Sequence, residues 1–224
     1  AVARNYAIKQ AKGEFIAFLD DDDWWEKDKL QEQVKELSSL DSSWGGVSCK
    51  MTLYDGNGRI IAKSKKYPDG NIYKDILTLQ SDVATGTLLL RHIDLDDAGY
   101  FDENLLRNQD LQLLVFFTYK YKLKEVDKYL HCVDVSDNQN RASDGFKAIT
   151  IKDNFFKSVQ PILKTLSKSE LCCVEGMRNF EIAYIFFRGH DYMNAFKFGL
   201  SIFRSPRVFW LAFCKIIDRY SSKQ

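Results

Sequence analysis

Hydrophobic and polar positions in the first part of the chain switch between the spacing of a helix and that of a strand. Residues 2–12 predict a helix, and the continuous apolar run over 14–19 predicts a strand that is buried on both faces. Further on, Leu30, Val34 and Leu37 are spaced i, i+4 and i+7, which predicts one apolar face of a second helix. This order of elements is typical of an α/β protein.

The same reasoning extends to the rest of the chain. Asp55-Gly56-Asn57-Gly58 lies between two strand-like runs and is a strong signal for a hairpin. We expect a short helix over 72–79, a strand over 83–90, a helix over 110–121, an alternating strand over 125–135 and only helices after residue 146. The predicted architecture is therefore an α/β body, residues 1–145, followed by a helical C-terminal extension, residues 146–224.

Composition narrows the class of protein. With 224 residues, of which 45% are hydrophobic, the chain can bury a substantial core. Its five cysteines are an odd number without a CxxC pair, which indicates neither a disulfide framework nor a zinc site and favours a reducing, cytoplasmic environment. No run approaches the ~20 apolar residues of a membrane-spanning helix.

Charge is distributed unevenly between the two parts. Residues 1–145 hold 19 Lys and Arg against 25 Asp and Glu, whereas residues 146–224 hold 13 against 6. Near the C-terminus, Ser205 and Pro206 can begin a helix that carries an apolar run flanked by basic residues. Two interpretations stay open: peripheral contact with the inner face of the membrane, or packing of this helix on the core. Dispersed basic residues and a net charge of +1 argue against nucleic-acid binding.

Four consecutive carboxylates, Asp20 to Asp23, follow the strand predicted over 14–19. Ligands of open α/β sheets bind beyond the carboxyl ends of the strands, so this cluster lies where a ligand is expected. Two aspartates one residue apart can bind a hard divalent cation, Mg²⁺ or Mn²⁺, whose other ligands are diphosphate oxygens and waters. The alternative to a ligand site is that these carboxylates are simply exposed to solvent at the N-terminus of the next helix, where negative charge is favourable. An EF-hand loop is excluded because Trp24 occupies its fifth ligand position.

The segment around this cluster resembles the middle of a family 2 glycosyltransferase of the GT-A type. Three of its pieces have the spacing of that family: Ala3-Arg4-Asn5, Ala11 to Phe15 and Leu19 to Trp25. The resemblance implies a GT-A-like mixed sheet flanked by helices. Several linked pieces are far more specific than two spaced aspartates alone.

The resemblance also implies roles for individual residues. Asp20 and Asp22 correspond to the DxD pair, in which Asp22 holds the metal, with Asp20 as a second ligand that helps to place the nucleotide sugar. Asp23 corresponds to a third aspartate with a supporting role, and Asp21 fills the variable position. Arg4, from the ARN segment, joins the residues that bind the donor.

A second stretch is similar to the later part of the same family. Gly99 to Glu103 supplies a G-x-FDE turn, and Gln109-Asp110 stands where the family has an acidic pair that opens a helix. Glutamine replaces the first acid, whereas Asp110 remains and by resemblance is the general base. A carboxylate at the start of a helix is chemically able to serve as one. Arg141, in the polar segment after the last predicted strand, could meet a diphosphate.

The expected reaction is sugar transfer, with inversion, from a nucleotide-diphosphate sugar to a hydroxyl of a saccharide or a lipid-linked saccharide. The resemblance associates such transfer with bacterial polysaccharide, lipopolysaccharide or capsule synthesis. Family members place two further strands before the ARN segment, so we expect this chain to be an N-terminally incomplete fragment. A metal-dependent nucleotidyltransferase and a non-catalytic nucleotide-binding fragment are the alternatives, although the first normally needs a glycine-rich or basic phosphate cradle.

Overall fold

The computed structural model describes residues 1–81, 83–136 and 145–221, the last four of these by their backbone alone. The predicted diphosphate contact, Arg141, lies outside the described residues. Elements follow one another as α1 (Val2–Gln10), β1 (Phe15–Ala17), β2 (Trp24–Trp25), α2 (Lys29–Ser38), β3 (Trp44–Tyr54), β4 (Ile60–Lys63), α3 (Tyr73–Leu77), a 3-10 turn (Thr85–Thr87), β5 (Leu89–Arg91), α4 (His92–Ala98), α5 (Gln109–Lys120), β6 (Lys122–Asp134), α6 (Gly145–Ser158), α7 (Gln160–Leu163), α8 (Lys168–Arg188), α9 (Tyr192–Gly199), a second 3-10 helix (Leu200–Arg204) and α10 (Pro206–Ser221).

The six strands form one mixed sheet, which agrees with the predicted GT-A-like α/β fold. Its order is β1-β5-β3-β6-β2, and β4 pairs with β3 outside this path. Strands β3 and β6 are parallel, whereas the other pairs are antiparallel. Strands β1 and β2 lie at opposite edges of this path, so the acidic turn between them leads from the β1 edge to β2, which pairs with β6.

Apolar residues cover the sheet on both faces, as the continuous apolar runs predict. Leu88 and Leu90 belong to the larger core, while Leu89 between them belongs to a smaller core with Leu37 and Val47. Successive residues of a strand point to opposite faces, so this alternation shows that both faces of β5 are covered. The same holds for β1, where Ile16 is in the larger core.

The face that α2 buries differs from the predicted one. The helix is present, but Leu30 and Val34 are exposed, and its inward positions are Lys29, Gln33 and Leu37. Two polar residues can be buried here because they satisfy each other: Lys29 Nζ donates to Gln33 Oε1 at 2.8 Å. The amide of Gln33 in turn donates to the carbonyl oxygen of Thr87 at 2.7 Å. Hydrogen bonding outweighs the apolar pattern at this helix.

Two predicted strands are shorter than expected. The run over 14–19 forms a strand only at Phe15–Ala17, and the run over 83–90 divides into a 3-10 turn and β5. The turn is closed by backbone bonds from Thr87 N to Ala84 O at 3.0 Å and from Leu88 N to Thr85 O at 3.1 Å. The hydroxyl of Thr87 also donates to Ala84 O, so local bonds replace strand pairing there.

Every regular element described after residue 145 is a helix, as predicted. Helix α8 begins with a capping box in which Ser167 and Glu170 bond each other's backbone. Helix α10 packs on α8, and a Cβ at Gly176 would lie only 2.6 Å from Val208, so the glycine permits this close approach. Phe155, Val159 and Val174 share the larger core with residues of α5, so the helical extension covers the sheet body.

Two further predictions can be compared with the structure. All five cysteines are unpaired, as the composition indicated. No helix in the described ranges has both the length and the apolar character needed to cross a membrane.

Candidate active site

One open pocket of about 380 Å³ brings together residues that are far apart in the sequence. Helix α1, the acidic turn, the 3-10 turn and the start of α5 each contribute to its wall. The lining residues are Arg4, Asp20, Thr85, Leu106, Arg107, Asn108, Gln109 and Asp110. Three of the sequence-predicted site residues, Arg4, Asp20 and Asp110, therefore face the same space.

Arg4 and Asp20 form an ion pair across this pocket. The guanidinium of Arg4 also lies over the ring of Phe101, 5.7 Å from its centroid, which limits its rotation. Both side chains remain partly exposed, at 37% and 43%, so the pair is accessible from the pocket. Arg4 thus supplies a positive charge beside the first carboxylate of the acidic turn.

Asn5 connects the Ala3-Arg4-Asn5 segment to the turn formed by Gly99 to Glu103. Its side chain is buried and pairs with the backbone of Phe101 in both directions, accepting from N at 3.0 Å and donating to O at 2.9 Å. The same amide donates to Glu103 Oε1 at 2.8 Å. These bonds hold α1 against the Gly99 to Glu103 turn and so place Arg4 near the start of α5.

Asp110 lies in the first turn of α5. Asn108, the N-cap residue of α5, has a left-handed backbone with φ 62°, which turns the chain into the helix. Gln112 Oε1 accepts from Asp102 N at 3.0 Å, so the start of α5 is tied to the G-x-FDE turn. Gln109, which replaces the expected acid, donates its amide to Leu105 O within the preceding loop. Asp110 is half-buried and faces the pocket.

The other two predicted carboxylates occupy different surroundings. Asp20 to Asp23 form a turn closed by a bond from Asp23 N to Asp20 O at 3.2 Å. Asp22 is exposed and does not line the pocket. The side chain of Asp23 turns inward, and its Oδ2 lies 3.2 Å from Nε2 of His131. Burial, together with the charge of Asp22, raises the pKa of Asp23 to about 6.

His131 on β6 is a site residue that sequence reasoning missed. Its side chain is 1% exposed, and burial lowers its pKa to about 4, so the imidazole is neutral at pH 7. Among the described residues, its Nδ1 has no hydrogen-bond partner. A lone histidine in an alternating apolar strand was the available signal, but nothing in the sequence connected it with the acidic turn.

The 3-10 turn is held from two sides. A Cβ at Gly86 would lie 2.4 Å from Cε1 of His131, so only glycine allows the ring to pack there. Trp25 Nε1 donates to the carbonyl oxygen of Gly86 at 3.0 Å, and the ammonium of Lys29 lies 4.1 Å from the Trp25 ring centroid. Trp25, which follows the carboxylates, thereby positions the turn that carries Thr85 into the pocket.

A divalent cation at these carboxylates would need ligands from a substrate as well. Within the part of the chain that the structure describes, no group of three or more His, Cys, Asp or Glu side chains could hold a metal ion without other ligands. Asp22 is exposed and Asp20 already has Arg4 as a partner, so the protein offers two carboxylates, one of them shared. Oxygen ligands from a diphosphate and from water suit Mg²⁺ or Mn²⁺ as the remainder of such a shell.

Fold and site together define an α/β protein with a polar pocket, lined by two arginines and two aspartates, beyond a strand end. Residues 1–94 match the model of glycosyl transferase family 2. The first part of this chain, residues 1–94, accordingly has the sequence of a glycosyl transferase family 2 domain, as the motifs indicated.

Curated relatives agree with the family. An uncharacterized glycosyltransferase of Rickettsia typhi is 25% identical over 207 residues, 89% of this chain and 64% of that protein. The putative teichuronic acid biosynthesis glycosyltransferase TuaG of Bacillus subtilis is 32% identical over 50% of this chain and 42% of its own length. The amylovoran biosynthesis glycosyltransferase AmsB of Erwinia amylovora is 29% identical over 51% and 40%. The chain thus spans less than two thirds of each of these relatives.

Proposed function

We propose that this chain contains the catalytic site of an inverting glycosyltransferase that uses a nucleotide-diphosphate sugar and a hydroxyl acceptor. The acceptor is a saccharide, free or lipid-linked, in bacterial polysaccharide, lipopolysaccharide or capsule synthesis. Two relatives, TuaG and AmsB, are named for the biosynthesis of such polymers, which supports this context.

The observation that carries the proposal is the shared pocket of Arg4, Asp20 and Asp110. Sugar transfer needs positive charge at a leaving diphosphate and a base at the attacking hydroxyl. Arg4 and Asp110 offer these two functions from distant parts of the sequence, and Asn5 holds their elements together. A solvated acidic helix entry would not need such a partner across the pocket.

The reaction is a single in-line displacement. The acceptor oxygen forms a bond to the anomeric carbon while the bond from that carbon to the phosphate oxygen breaks, and this oxygen keeps the electron pair. Asp110 takes the hydroxyl proton, since a carboxylate within reach of the hydroxyl can serve as general base. Attack from the face opposite the leaving group inverts the anomeric configuration.

Two sources of positive charge can balance the negative charge of the departing diphosphate: Arg4 on α1 and a cation bound at the acidic turn. Arg4 lines the pocket beside Asp20, where its guanidinium can bind the oxygens of the leaving diphosphate. A divalent cation bound by Asp20 and Asp22 would supply further positive charge to the phosphate oxygens. Asp23 stays turned toward His131 and orients the loop from behind.

The direct test is a product assay. The chain is incubated with a panel of nucleotide-diphosphate sugars and with saccharide and lipid-linked acceptors, and the products are identified by mass spectrometry. We expect an acceptor heavier by one sugar residue, with inverted linkage. Incorporation from a nucleoside triphosphate would instead indicate a nucleotidyltransferase, and nucleotide binding without turnover of any donor would indicate a non-catalytic module.

Asp110→Asn separates the base from binding. The amide keeps the shape of the carboxylate but cannot accept the proton, so transfer should fall by ~10²–10⁴ while donor affinity is retained. Asp28→Asn is the matched control, because Asp28 is an exposed N-cap carboxylate of α2 that makes no capping bond. Near-native turnover in Asp110→Asn would contradict the assignment of the base.

A further inference from the structure

The end of the chain presents a large exposed apolar surface. Helix α9, the 3-10 helix Leu200–Arg204 and α10 together form what we call the aromatic face. Its exposed apolar members are Tyr192, Met193, Phe196, Leu200, Phe203, Phe209, Trp210, Phe213, Ile216 and Ile217. Several are among the most exposed apolar residues of the protein, with Met193 at 85%, Phe203 at 72% and Phe196 at 70%.

The aromatic face is one continuous surface. Along α10, the ring of Phe209 lies 5.9 Å from Phe203 and 6.4 Å from Phe213. An open groove of about 450 Å³ connects the two helices, with Tyr192 and Phe196 of α9 on one side and Ile216 of α10 on the other. Monomeric proteins rarely leave so large a contiguous apolar surface exposed without a binding role.

This surface is not the side on which α10 packs. Val208 and Ala212 are buried, at 0% and 1% exposure, and Ala212 joins Met177 and Phe180 of α8 in a core cluster. The helix therefore has two different sides. One side packs on the core of the protein, as one sequence interpretation expected, and the other side is exposed and apolar, as membrane contact would require. Helix α9 buries no residue, so it adds to the open side.

Between Asp191 and Asp218, all charged residues of the aromatic face are basic. Residues 192–217 include Lys197, Arg204, Arg207 and Lys215 and no aspartate or glutamate. Lys197, Arg204 and Arg207 are exposed among the aromatic residues. A two-fold contact with a second copy would bring these cations together without a carboxylate from the same stretch to pair with them. An anionic surface is complementary to both the charge and the apolar side chains.

We propose that the aromatic face docks on the surface of an anionic lipid bilayer. Aromatic residues among Lys and Arg are the composition of helices that lie in the interface, with apolar side chains below the headgroups and cations at the level of the phosphates. The docked protein lies on the membrane without crossing it. Membrane docking is independent of the proposed sugar transfer, because it involves no residue of the active-site pocket.

Vesicle binding tests the proposal with the whole chain. Protein is sedimented with vesicles of phosphatidylcholine alone and with vesicles that also contain phosphatidylglycerol, and the fluorescence of Trp210 is read as the difference between the chain and its Trp210→Phe variant. We expect binding to the anionic vesicles that weakens as salt is raised, with a blue shift of the Trp210 emission on binding.

Matched variants identify the surface. Phe196→Ser with Phe203→Ser removes apolar contact, and Lys197→Glu with Arg204→Glu reverses charge; each pair should weaken binding by about tenfold or more. Ile93→Ser on α4, where Ile93 is 75% exposed, and Lys157→Glu on α6 are controls that should bind as the unchanged chain does. Far-UV circular dichroism and a melting curve verify that each variant is folded.

Three results would overturn the proposal. The first is an absence of binding to anionic vesicles by the folded chain. The second is equal loss of binding in the Ile93 and Lys157 controls. The third is a concentration-dependent dimer, measured by light scattering without vesicles, that the aromatic-face variants abolish, since this would make a second copy the occupant.

Discussion

Asp22 is exposed within the acidic turn, whereas Asp20 pairs with Arg4 and Asp23 lies against His131. If a cation joins this turn to a diphosphate, the exposed carboxylate of Asp22 is the ligand that the family resemblance implies. Asp22→Asn should therefore weaken Mn²⁺-dependent binding of a nucleoside diphosphate, measured by calorimetry, with little change in the melting temperature. Asp21→Asn, exposed in the same turn, is the control and should bind as the unchanged chain does. Equal loss in both variants would point to general charge instead of a ligand.

Glu125 shows how burial affects a single carboxyl group on β6. Its side chain is buried, its Oε2 has no partner among the described residues, and burial raises its pKa from 4.5 to about 7, although Lys50 and Lys66 act in the opposite direction. Folding raises this pKa, so the protonated Glu125 carboxyl is favoured in the folded protein. The stability that this carboxyl contributes is fully present below pH 4.5 and is lost as pH rises through about 7.

Replacing this carboxyl by an uncharged amide should remove that loss. We expect Glu125→Gln to raise the free energy of unfolding at pH 8 by about 1–2 kcal/mol and to leave it unchanged at pH 4, measured by urea unfolding. Glu175→Gln, an exposed site on α8, should have no such pH-dependent effect. A Glu125→Gln variant that is less stable than the unchanged chain at pH 8 would show that the charge has a partner.

At the scale of elements, the 3-10 turn depends on a close approach between its backbone and β6. Gly86→Ala would place a Cβ 2.4 Å from Cε1 and 2.5 Å from Nε2 of the buried His131 ring. Overpacking of this kind costs about 1–3 kcal/mol, and here it would also move His131 from Asp23.

A second glycine provides the comparison. A Cβ at Gly199 would meet no atom within 4 Å, and its φ of −61° is helical, so Gly199→Ala should be neutral or stabilising by up to about 1 kcal/mol. Denaturant unfolding of both variants measures the difference. Equal stability of Gly86→Ala and the unchanged chain would mean that the 3-10 turn and β6 can separate at little cost.

At the scale of the whole molecule, the sheet body and the helical extension share one main hydrophobic core. Val159 and Ile162 of the extension lie in the same cluster as Leu113 and Phe117 of α5. Lys74 and Glu170 join the two parts at the surface by a further ion pair. The division predicted at residue 145 separates two patterns of secondary structure, and the shared core makes independent unfolding of the two parts unfavourable.

We therefore expect one cooperative unfolding transition. In the Trp210→Phe variant all remaining tryptophans belong to residues 1–145, so their fluorescence reports on the sheet body, while far-UV circular dichroism is dominated by helices. The two signals should give the same midpoint in urea. Two separated midpoints would instead show that residues 146–224 unfold as a domain of their own.

Local sequence signals were sufficient for elements whose stability depends on neighbouring residues. The Asp55-Gly56-Asn57-Gly58 turn forms its hairpin through bonds within five residues. Helix α5 follows its own apolar spacing, and α8 also has its own capping box. The acidic cluster at a strand end also followed from the sequence, because the apolar run and the carboxylates are adjacent. Such features need no knowledge of which elements pack together.

The tertiary structure decided which residues meet. Asn5 and Phe101 are 96 residues apart, and their pairing helps to bring Arg4 and Asp110 to one pocket. The inward face of α2 is set by Gln33 reaching Thr87 O, and the orientation of Asp23 is set by His131, which lies on a distant strand. A buried polar group needs a hydrogen-bond partner, and the chain topology determines which group is close enough to be that partner. The hydrophobic spacing within one segment contains no information about these distant contacts.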